Sequence, residues 1–213
     1  GTEVVNKLNG MFAFCLYDRE KKRLFLARDR MGVKPLYYYW DRKNFIFASE
    51  IKPILLAGVP RQVDPQAARD YFHYRYIPGE ETLFKGIKKL LPGHLALYHQ
   101  GELSITPFWD VPLPTDGRMS EHAAAVAVRE ILQDSVKKRL VADVPVGVYL
   151  SGGIDSAAIT ALAAKNSTEP VKTFSIGFDQ HDEADETLKA RTIAEHFQTE
   201  HHEYAVNGNE IKA

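Results

Sequence analysis

The stretch Val144-Pro145-Val146-Gly147-Val148-Tyr149-Leu150-Ser151-Gly152-Gly153-Ile154-Asp155-Ser156 changes abruptly from apolar residues to polar and glycine-rich ones. Its apolar part carries no charge and is rich in β-branched residues, which predicts a strand buried on both faces of a parallel sheet. Gly152 and Gly153 allow a sharp turn that exposes main-chain N–H groups, and the helix-compatible run 157–162 follows at once. The sequence therefore predicts a strand, an anion-binding loop and a helix.

A phosphate group suits this predicted loop. The first N–H groups of a helix lack partners within the helix and carry partial positive charge, so a bound phosphate satisfies both deficits. Ser151 and Ser156 add hydroxyl donors. Asp155 would repel a phosphate unless a cation lay between them, so we predict that Asp155 binds Mg²⁺ together with phosphate oxygens. The simpler alternative is that Ser151 and the glycines only cap the helix.

The loop differs from a Walker A motif, because GxxxxGK[ST] requires a lysine that these residues do not contain. Transfer of a γ-phosphoryl group is therefore not supported. S-G-G-I-D-S resembles the pyrophosphate loop of ATP pyrophosphatases, which cleave ATP between its α and β phosphates. With Asp-Val-Pro-Val-Gly-Val at 143–148, it resembles the synthetase domain of glutamine-dependent asparagine synthetases. The six loop residues alone would also fit synthetases of GMP, NAD or argininosuccinate.

Composition narrows the class of protein. The 213 residues can form one large domain or two ordinary ones, and 27 basic against 28 acidic residues give a formal net charge of −1. Basic residues do not cluster with aromatic ones, and apolar runs are shorter than a membrane span. We therefore expect no nucleic-acid or membrane partner and a cytoplasmic location.

Cys15 is the single cysteine, so an intrachain disulfide is excluded. It lies in the apolar run 11–17, which favours a core position over an exposed nucleophile. The sequence opens with Gly1-Thr2-Glu3 instead of Met. We therefore expect a piece of a longer protein.

Residues 11–48 contain short strands separated by polar turns, which predicts an antiparallel sheet. The loop after the second strand carries three basic groups and one acid. It could face a ligand or another domain, but a solvated connection with an Arg28/Asp29 pair is the simpler prediction. Helices are predicted at 50–56 and 64–74, a loop with solvated Lys88 and Lys89 at 75–92, and a hairpin around 99–101.

N-G-M-F-A-F at 9–14, A-R-D-R-M-G-V-K-P-L-Y-Y at 27–38 and F-A-S-E-I-K at 47–52 resemble the later half of the class II glutaminase domain of asparagine synthetases. The resemblance implies a sandwich of two antiparallel sheets between helices, of the N-terminal-nucleophile type. The family's nucleophile is an N-terminal cysteine, which no residue of this chain matches. We therefore assign no catalytic residue to this half and expect the chain as given to be inactive, because it is truncated.

The proline- and glycine-rich segment 111–117 predicts a linker between domains at 1–112 and 118–213. Ser120 is a candidate N-cap for a helix to Leu140 with one apolar face. That helix, the strand and loop described above, a helix to Ala164 and a strand at 171–176 predict an α/β domain with a doubly wound parallel sheet.

By resemblance, main-chain groups of Leu150 and Ile176 hold the adenine base of ATP. The acidic residues at 179–186 precede a helix, where they either cap it or supply a second metal ligand. His201 and His202 are adjacent on a predicted strand, so their side chains should point to opposite faces and not bind one metal ion together.

The resemblance implies an ATP- and Mg²⁺-dependent ligase that adenylates aspartate and transfers ammonia from glutamine, releasing AMP and pyrophosphate. It would allow a homodimer, and its other partners are small-molecule substrates. Two alternatives stay open. One is a paralogue that makes another amide or a lactam, and the other is a non-catalytic fragment or regulatory module.

Overall fold

The structure is a computed structural model that describes residues 1–113, 117, 119–178 and 186–206. The chain divides into two compact units, Gly1–Pro114 and Thr115–Ala213. The domain limits given above, 1–112 and 118–213, stay a prediction. Within the described residues, every helix is too short or too polar to cross a membrane.

The first unit consists of short strands with three helices among its described residues. The strands are β1 Ala13–Asp18, β2 Arg23–Arg28, β3 Tyr37–Trp40, β4 Phe45–Ala48, β5 Ile87–Lys89, β6 His94–His99 and β7 Glu102–Pro107, and the helices are α1 Val4–Lys7, α2 Ile51–Leu56 and α3 Pro65–Tyr74. They form two antiparallel sheets, with strand orders β1-β2-β6-β7 and β4-β3-β5.

Side chains alternate between the two faces of each sheet, so the first unit has four layers: α1, the two sheets and α2. Leu26 of β2 packs in a core that also contains Tyr38 of β3 and so joins the two sheets. Phe25, its neighbour on β2, points to the opposite face and packs with Val5 of α1. Ile54 of α2 covers the outer face of the second sheet. The predicted sandwich of antiparallel sheets between helices is confirmed.

Cys15 lies on β1 and packs against the core between the sheets. Burial raises the pKa of its thiol, which disfavours the reactive thiolate. This position agrees with a packing role.

Two helix starts form where local sequence predicts them. The Asp64 carboxylate accepts hydrogen bonds from the N–H groups of Gln66 and Ala67 and caps α3. In the second unit, the Ser120 hydroxyl accepts a hydrogen bond from the Ala123 N–H.

The segment 75–92 was expected to be a loop, but it contributes β5, which pairs with Tyr37–Tyr39 of β3. The expectation was wrong because three residues with two lysines carry no strand pattern, and the open edge of β3 supplies the hydrogen bonds. Lys88 Nζ lies 2.5 Å from Glu80 Oε1, and Lys89 Nζ donates to the Ile77 carbonyl at 2.6 Å. These two lysines are therefore paired with the protein instead of simply solvated.

The loop after β2 is organised around a buried carboxylate. Asp29 is only 1% exposed, and each of its oxygens accepts two backbone N–H groups, at 3.0 to 3.2 Å. The donors are Phe12, Met31, Val33 and Lys34. Asp29 thus replaces the hydrogen bonds that these N–H groups would otherwise make with water.

The Arg28 guanidinium completes this loop by donating to three carbonyls, those of Gly32, Lys34 and Leu90, at 2.7 to 2.8 Å. Its donors go to main-chain oxygens and not to Asp29. The expected solvated connection with an Arg28/Asp29 pair is therefore wrong, because main-chain groups across the loop satisfy both side chains.

The second unit is a three-stranded parallel sheet with helices. Its described elements are α4 Glu121–Arg139, β8 Gly147–Tyr149, α5 Ile154–Asn166, β9 Lys172–Phe178, α6 Thr187–His196 and β10 Glu200–Val206. The strand order is β10-β9-β8, and both pairings are parallel. The predicted antiparallel half followed by a parallel sheet with helices is confirmed.

The described helices of this unit cover one face of the sheet. Val171 packs with residues of α4 and α5, and Leu150 packs with Ala190 and Ala194 of α6. Tyr149 lies on the other face and is 81% exposed. The expectation that this strand is buried on both faces is therefore wrong for the described residues, because the described helices leave its second face uncovered.

The apolar face predicted for the helix after Ser120 is buried only in part. On α4, Val136 is buried, whereas Val128 and Ile131 are more than half exposed. The periodicity correctly predicts a helix, but among the described residues it is the last turns of α4 that pack on α5 and β8.

We predict that Asp29→Asn destabilises the first unit by about 2–3 kcal/mol, because an amide NH₂ would face two N–H donors in place of an acceptor oxygen. Chemical denaturation measures this loss. Asp41→Asn is the matched control, since Asp41 accepts backbone N–H groups in an exposed turn, and its effect should be much smaller. Equal effects of the two substitutions would contradict a special role for Asp29.

The same residue predicts a pH dependence. Burial raises the pKa of Asp29, but the hydrogen bonds from Lys34, Val33, Phe12 and Met31 outweigh burial, so the net pKa is lowered. The unfolded chain then takes up the proton at higher pH than the folded chain. The stability contributed by Asp29 is therefore complete above the ordinary carboxyl pKa of about 3.9 and is lost as the pH falls below it. Asp29→Asn should flatten the stability curve in that range.

Candidate functional site

The candidate site lies where the sheet of the second unit ends in the loop 151–153. β8 ends at Tyr149, the buried Leu150 follows, and α5 begins at Ile154 after its N-cap Gly153. The loop thus lies at the carboxyl end of a parallel strand and at the N-terminus of α5. In open α/β sheets this edge is where ligands bind.

The two predicted loop serines hold the turn together. The Ser156 hydroxyl donates to the Gly153 carbonyl at 3.0 Å and accepts the Ser151 N–H at 3.3 Å. The two hydroxyl oxygens lie 3.1 Å apart. Both serines therefore shape the loop, and their contact with a phosphate stays a prediction.

Gly152 is the residue that the loop geometry requires to be glycine. Its φ of +79° lies in the left-handed region, and a Cβ there would lie 2.8 Å from Lys189 Cβ and 2.9 Å from the Glu186 carbonyl oxygen. Both neighbours belong to the start of α6. The loop is therefore packed between the N-terminal ends of two helices.

Lys189 is the basic residue that sequence reasoning missed. The loop contains no lysine, but α6 brings the exposed Lys189 beside Gly152. The signal was available in the topology, because a helix that follows a parallel strand begins at the same edge of the sheet as the preceding loop.

Asp155 lies in the first turn of α5 and is exposed, with no hydrogen bond from other described residues. Its carboxylate is therefore free to bind a cation. Mg²⁺ commonly takes one or two carboxylates and completes its shell with phosphate oxygens and water, so this single free carboxylate fits that ion. Among the described residues, no three His, Cys, Asp or Glu side chains form a metal-binding group.

The proposed second metal ligand falls mostly outside the described residues, which omit 179–185. Glu186 is described and exposed, and its carbonyl oxygen lies beside Gly152 of the loop. A metal-binding role for it stays a prediction.

Leu150 directly follows β8, and Ile176 lies on the neighbouring strand β9. The Leu150 N–H donates to the Phe174 carbonyl at 2.8 Å, and its carbonyl accepts the Ser175 hydroxyl. The Leu150 N–H is thus occupied, whereas its carbonyl oxygen retains a second lone pair. Base binding by Leu150 and Ile176 stays a prediction.

The two adjacent histidines point to opposite faces of β10, as their spacing predicts. His201 Nδ1 lies 2.9 Å from Thr173 Oγ1, within the buried face. The His202 ring stacks on Phe174 on the exposed face, with ring centroids 5.1 Å apart.

We predict that Gly152→Ala destabilises the second unit by about 2 kcal/mol or more, because its Cβ would collide with backbone and its φ would be strained. Gly153→Ala is the matched control. The φ of Gly153 is −77°, and its added Cβ would lie 3.4 Å from Ser151 Oγ, an ordinary contact. Chemical denaturation of both variants measures the difference, and a harmless Gly152→Ala would show that the loop does not pack on α6.

Comparison with known proteins finds a matching family model for each of the two units. Residues 1–109 match the family model described as a glutamine amidotransferase domain, and residues 127–213 match the asparagine synthase model. The putative asparagine synthetase [glutamine-hydrolyzing] 2 of Methanocaldococcus jannaschii is 34% identical over 96% of this chain and 40% of the relative. Asparagine synthetase [glutamine-hydrolyzing] 3 of Bacillus subtilis is 35% identical over 98% of this chain and 36% of the relative.

Amidase chyE of Penicillium rubens is also similar, at 35% identity over 91% of this chain and 31% of the relative. The chain therefore spans two fifths or less of the length of these relatives. The two family matches follow each other in the same order as the antiparallel and parallel units. The chain belongs to the asparagine synthase family, with a glutamine amidotransferase domain followed by residues of an asparagine synthase domain of the ATP-pyrophosphatase class.

Proposed function

We propose that this chain is part of an ATP-dependent ligase that makes asparagine from aspartate, with glutamine as the source of ammonia. One observation carries the proposal: S-G-G-I-D-S forms the turn from a parallel strand into the N-terminus of α5, in the domain that matches asparagine synthase. The asparagine synthetases of Methanocaldococcus jannaschii and Bacillus subtilis support the choice of product.

ATP would bind along the carboxyl edge of β8 and β9. Its phosphates would lie at the loop, where main-chain N–H groups at the start of α5 carry partial positive charge. Its adenine would lie toward Ile176. The proposed ATP-binding residues are Leu150, Ser151, Gly152, Gly153, Asp155, Ser156 and Ile176.

Asp155 is the proposed ligand of Mg²⁺. The ion would neutralise phosphate charge next to a carboxylate that otherwise repels it. The exposed and unpaired position of Asp155 supports this role.

In the proposed reaction, a side-chain carboxylate oxygen of aspartate attacks the α-phosphorus of ATP. The bond from that phosphorus to the bridging oxygen of the β-phosphate breaks, and pyrophosphate leaves. The nitrogen of ammonia then attacks the activated β-carbonyl carbon of β-aspartyl-AMP, AMP leaves, and one proton is released. AMP is a better leaving group than hydroxide, which is the chemical reason for consuming ATP.

The amidotransferase half would supply the ammonia, but we assign no catalytic residue to its described part. The family's nucleophile is a cysteine, and Cys15 is the single one here. It packs on the core between the sheets, and burial raises its pKa. Both observations argue against Cys15 as that nucleophile.

A second candidate function is amide chemistry on another substrate. It is favoured by the relatives named amidase chyE and amidase chry2, each 35% identical over more than nine tenths of this chain. The loop at α5 would serve a related enzyme equally well, because in this proposal it would contact ATP and not the acceptor. The acceptor therefore has to be tested directly.

We predict that Asp155→Asn, in the full-length protein, abolishes aspartate-dependent pyrophosphate release, since an amide neither carries the charge nor binds Mg²⁺ as a carboxylate does. Stability should be unchanged because Asp155 is exposed and makes no hydrogen bond with other described residues. Asp134→Asn, at an exposed acid on α4, is the control and should retain activity.

Two outcomes separate the candidate functions, and a third tests Asp155. Pyrophosphate release that requires aspartate supports asparagine synthesis, whereas release that requires a different carboxylic acid supports the second candidate. Undiminished release from Asp155→Asn would overturn the assignment of Asp155.

A further inference from the structure

Lys189 is packed against the loop 151–153 from the neighbouring helix α6. A Cβ added to Gly152 would lie 2.8 Å from the Lys189 Cβ, so the stem of this lysine starts beside the loop. In an α-helix the Cα–Cβ bonds tilt toward the N-terminus, and Lys189 is the third residue of α6. Its flexible four-carbon stem therefore starts toward the edge of the sheet at which the loop lies.

The ammonium group of Lys189 has no partner among the described residues. Lys189 is exposed, and none of the hydrogen bonds and ion pairs of the described residues involves its side chain. Glu186, three residues earlier, has a spacing that allows ion pairs on a helix, yet it forms none with Lys189. By contrast, Arg191 of the same helix pairs with Glu203. The positive charge of Lys189 is thus available to a ligand.

Helix stability does not explain a lysine at this position. The N–H groups at the start of a helix carry partial positive charge, so the first turn favours acidic side chains and disfavours basic ones. The first turn of α6 contains Lys189 and no acidic residue. The facing loop and the start of α5 supply one carboxylate, Asp155, which the proposed function assigns to Mg²⁺. An anionic ligand would balance the charge of Lys189.

We propose that Lys189 binds the β- and γ-phosphates of ATP and stays bound to them as pyrophosphate leaves. The inference rests on the proposed function, because it takes ATP to be the ligand of this edge. In a Walker A loop, a lysine of the loop itself reaches these phosphates, but the loop here contains none. Helix α6 would supply the lysine from the side that faces the first N–H groups of α5, which lack partners within their helix.

The charge that develops in the reaction gives this lysine a catalytic role. As a carboxylate oxygen of aspartate bonds to the α-phosphorus, the bond from that phosphorus to the bridging oxygen breaks, and its electron pair stays on the bridging oxygen. Negative charge on the departing pyrophosphate therefore grows along the reaction. A cation that contacts the β-phosphate then stabilises the transition state more than it stabilises bound ATP. Lys189 should thus raise kcat as well as affinity.

Chemical labelling tests the contact in the wild-type, full-length protein. Acetic anhydride acetylates exposed lysines, and mass spectrometry measures the rate at each of them. Pyrophosphate with Mg²⁺, at about ten times its measured Kd, should slow acetylation of Lys189 by about tenfold, because a bound phosphate blocks the ammonium. Acetylation of Lys165, which is exposed in the last turn of α5, should not change. A rate at Lys189 that bound pyrophosphate leaves unchanged would overturn the proposal.

Substitution tests the energetic consequence. Lys189→Met keeps an unbranched stem against Gly152 and removes the charge. We expect it to weaken the binding of pyrophosphate and of Mg-ATP by about tenfold and to leave AMP binding unchanged, because AMP lacks the β- and γ-phosphates. The kcat of aspartate-dependent pyrophosphate release should fall as well. Lys189→Arg keeps the charge and should restore most of both quantities. Isothermal titration and a pyrophosphate-release assay measure them.

Lys165→Met is the matched control. It removes the same charge about 17 Å along α5 from the start of that helix, beyond the Debye length of about 8 Å at physiological ionic strength. This variant should bind pyrophosphate and Mg-ATP as the wild type does. Equal losses in Lys165→Met and Lys189→Met would show an effect of net charge alone. Equal losses of ATP, pyrophosphate and AMP affinity in Lys189→Met would show that Lys189 supports the loop as a whole. Either result would overturn the proposal.

Stability and wild-type binding separate the remaining explanations. Lys189→Met removes a cation from the start of a helix, so it should unfold at the same denaturant concentration as the wild type or at a higher one. If the wild type binds both pyrophosphate and Mg-ATP and Lys189→Met binds them equally well, only the role of Lys189 is wrong. A wild-type protein that binds neither ligand would instead overturn the proposed function.

Discussion

The hydrogen bond from the Leu150 N–H to the Phe174 carbonyl, at 2.8 Å, lies where the parallel sheet ends and the candidate site begins. A strand that continued its ladder would use every main-chain group of its neighbour. A strand that ends at this point releases the chain into a glycine turn and leaves Ile176 partly unpaired. The glycine turn at Gly152 and the exposed Ile176 thus lie at the same end of one ladder.

Close packing of Gly152 against the start of α6 also fixes the loop that follows β8. Gly152 lies so near the start of α6 that no side chain fits, which ties the loop to a helix more than thirty residues later in the chain. The same contact brings Lys189 to a loop that contains no basic residue. A polyanion at this edge would therefore meet two helix N-termini and a lysine, although the loop sequence itself carries one negative charge, on Asp155.

In the first unit, a charged side chain supplies hydrogen-bond acceptors for main-chain N–H groups that a loop leaves without strand partners. After β2 the chain needs partners for several N–H groups, and the Asp29 carboxylate accepts four of them in a nearly water-free position. Arg28 holds the facing carbonyls in the same loop. The charge pattern of this loop suggested a solvated ion pair, yet the two residues act on the backbone. Their role is to organise the loop, and no ligand is needed to explain them.

Local sequence determined the features whose physics is local: the caps at Asp64 and Ser120, the alternation of β2 and the glycine turn before α5 all depend on neighbours within a few residues. The resemblance to asparagine synthetases, carried by those same short motifs, identified the family and the candidate residues of the loop. Tertiary structure alone decided which residues that are distant in sequence contact each other. β5 forms because β3 offers an edge, Lys88 is paired because Glu80 lies beside it, Lys189 reaches the loop through α6, and Ser175 caps Leu150 from the next strand. No periodicity encodes these contacts, because each depends on where a distant segment packs and which of its hydrogen-bonding groups remain unpaired there.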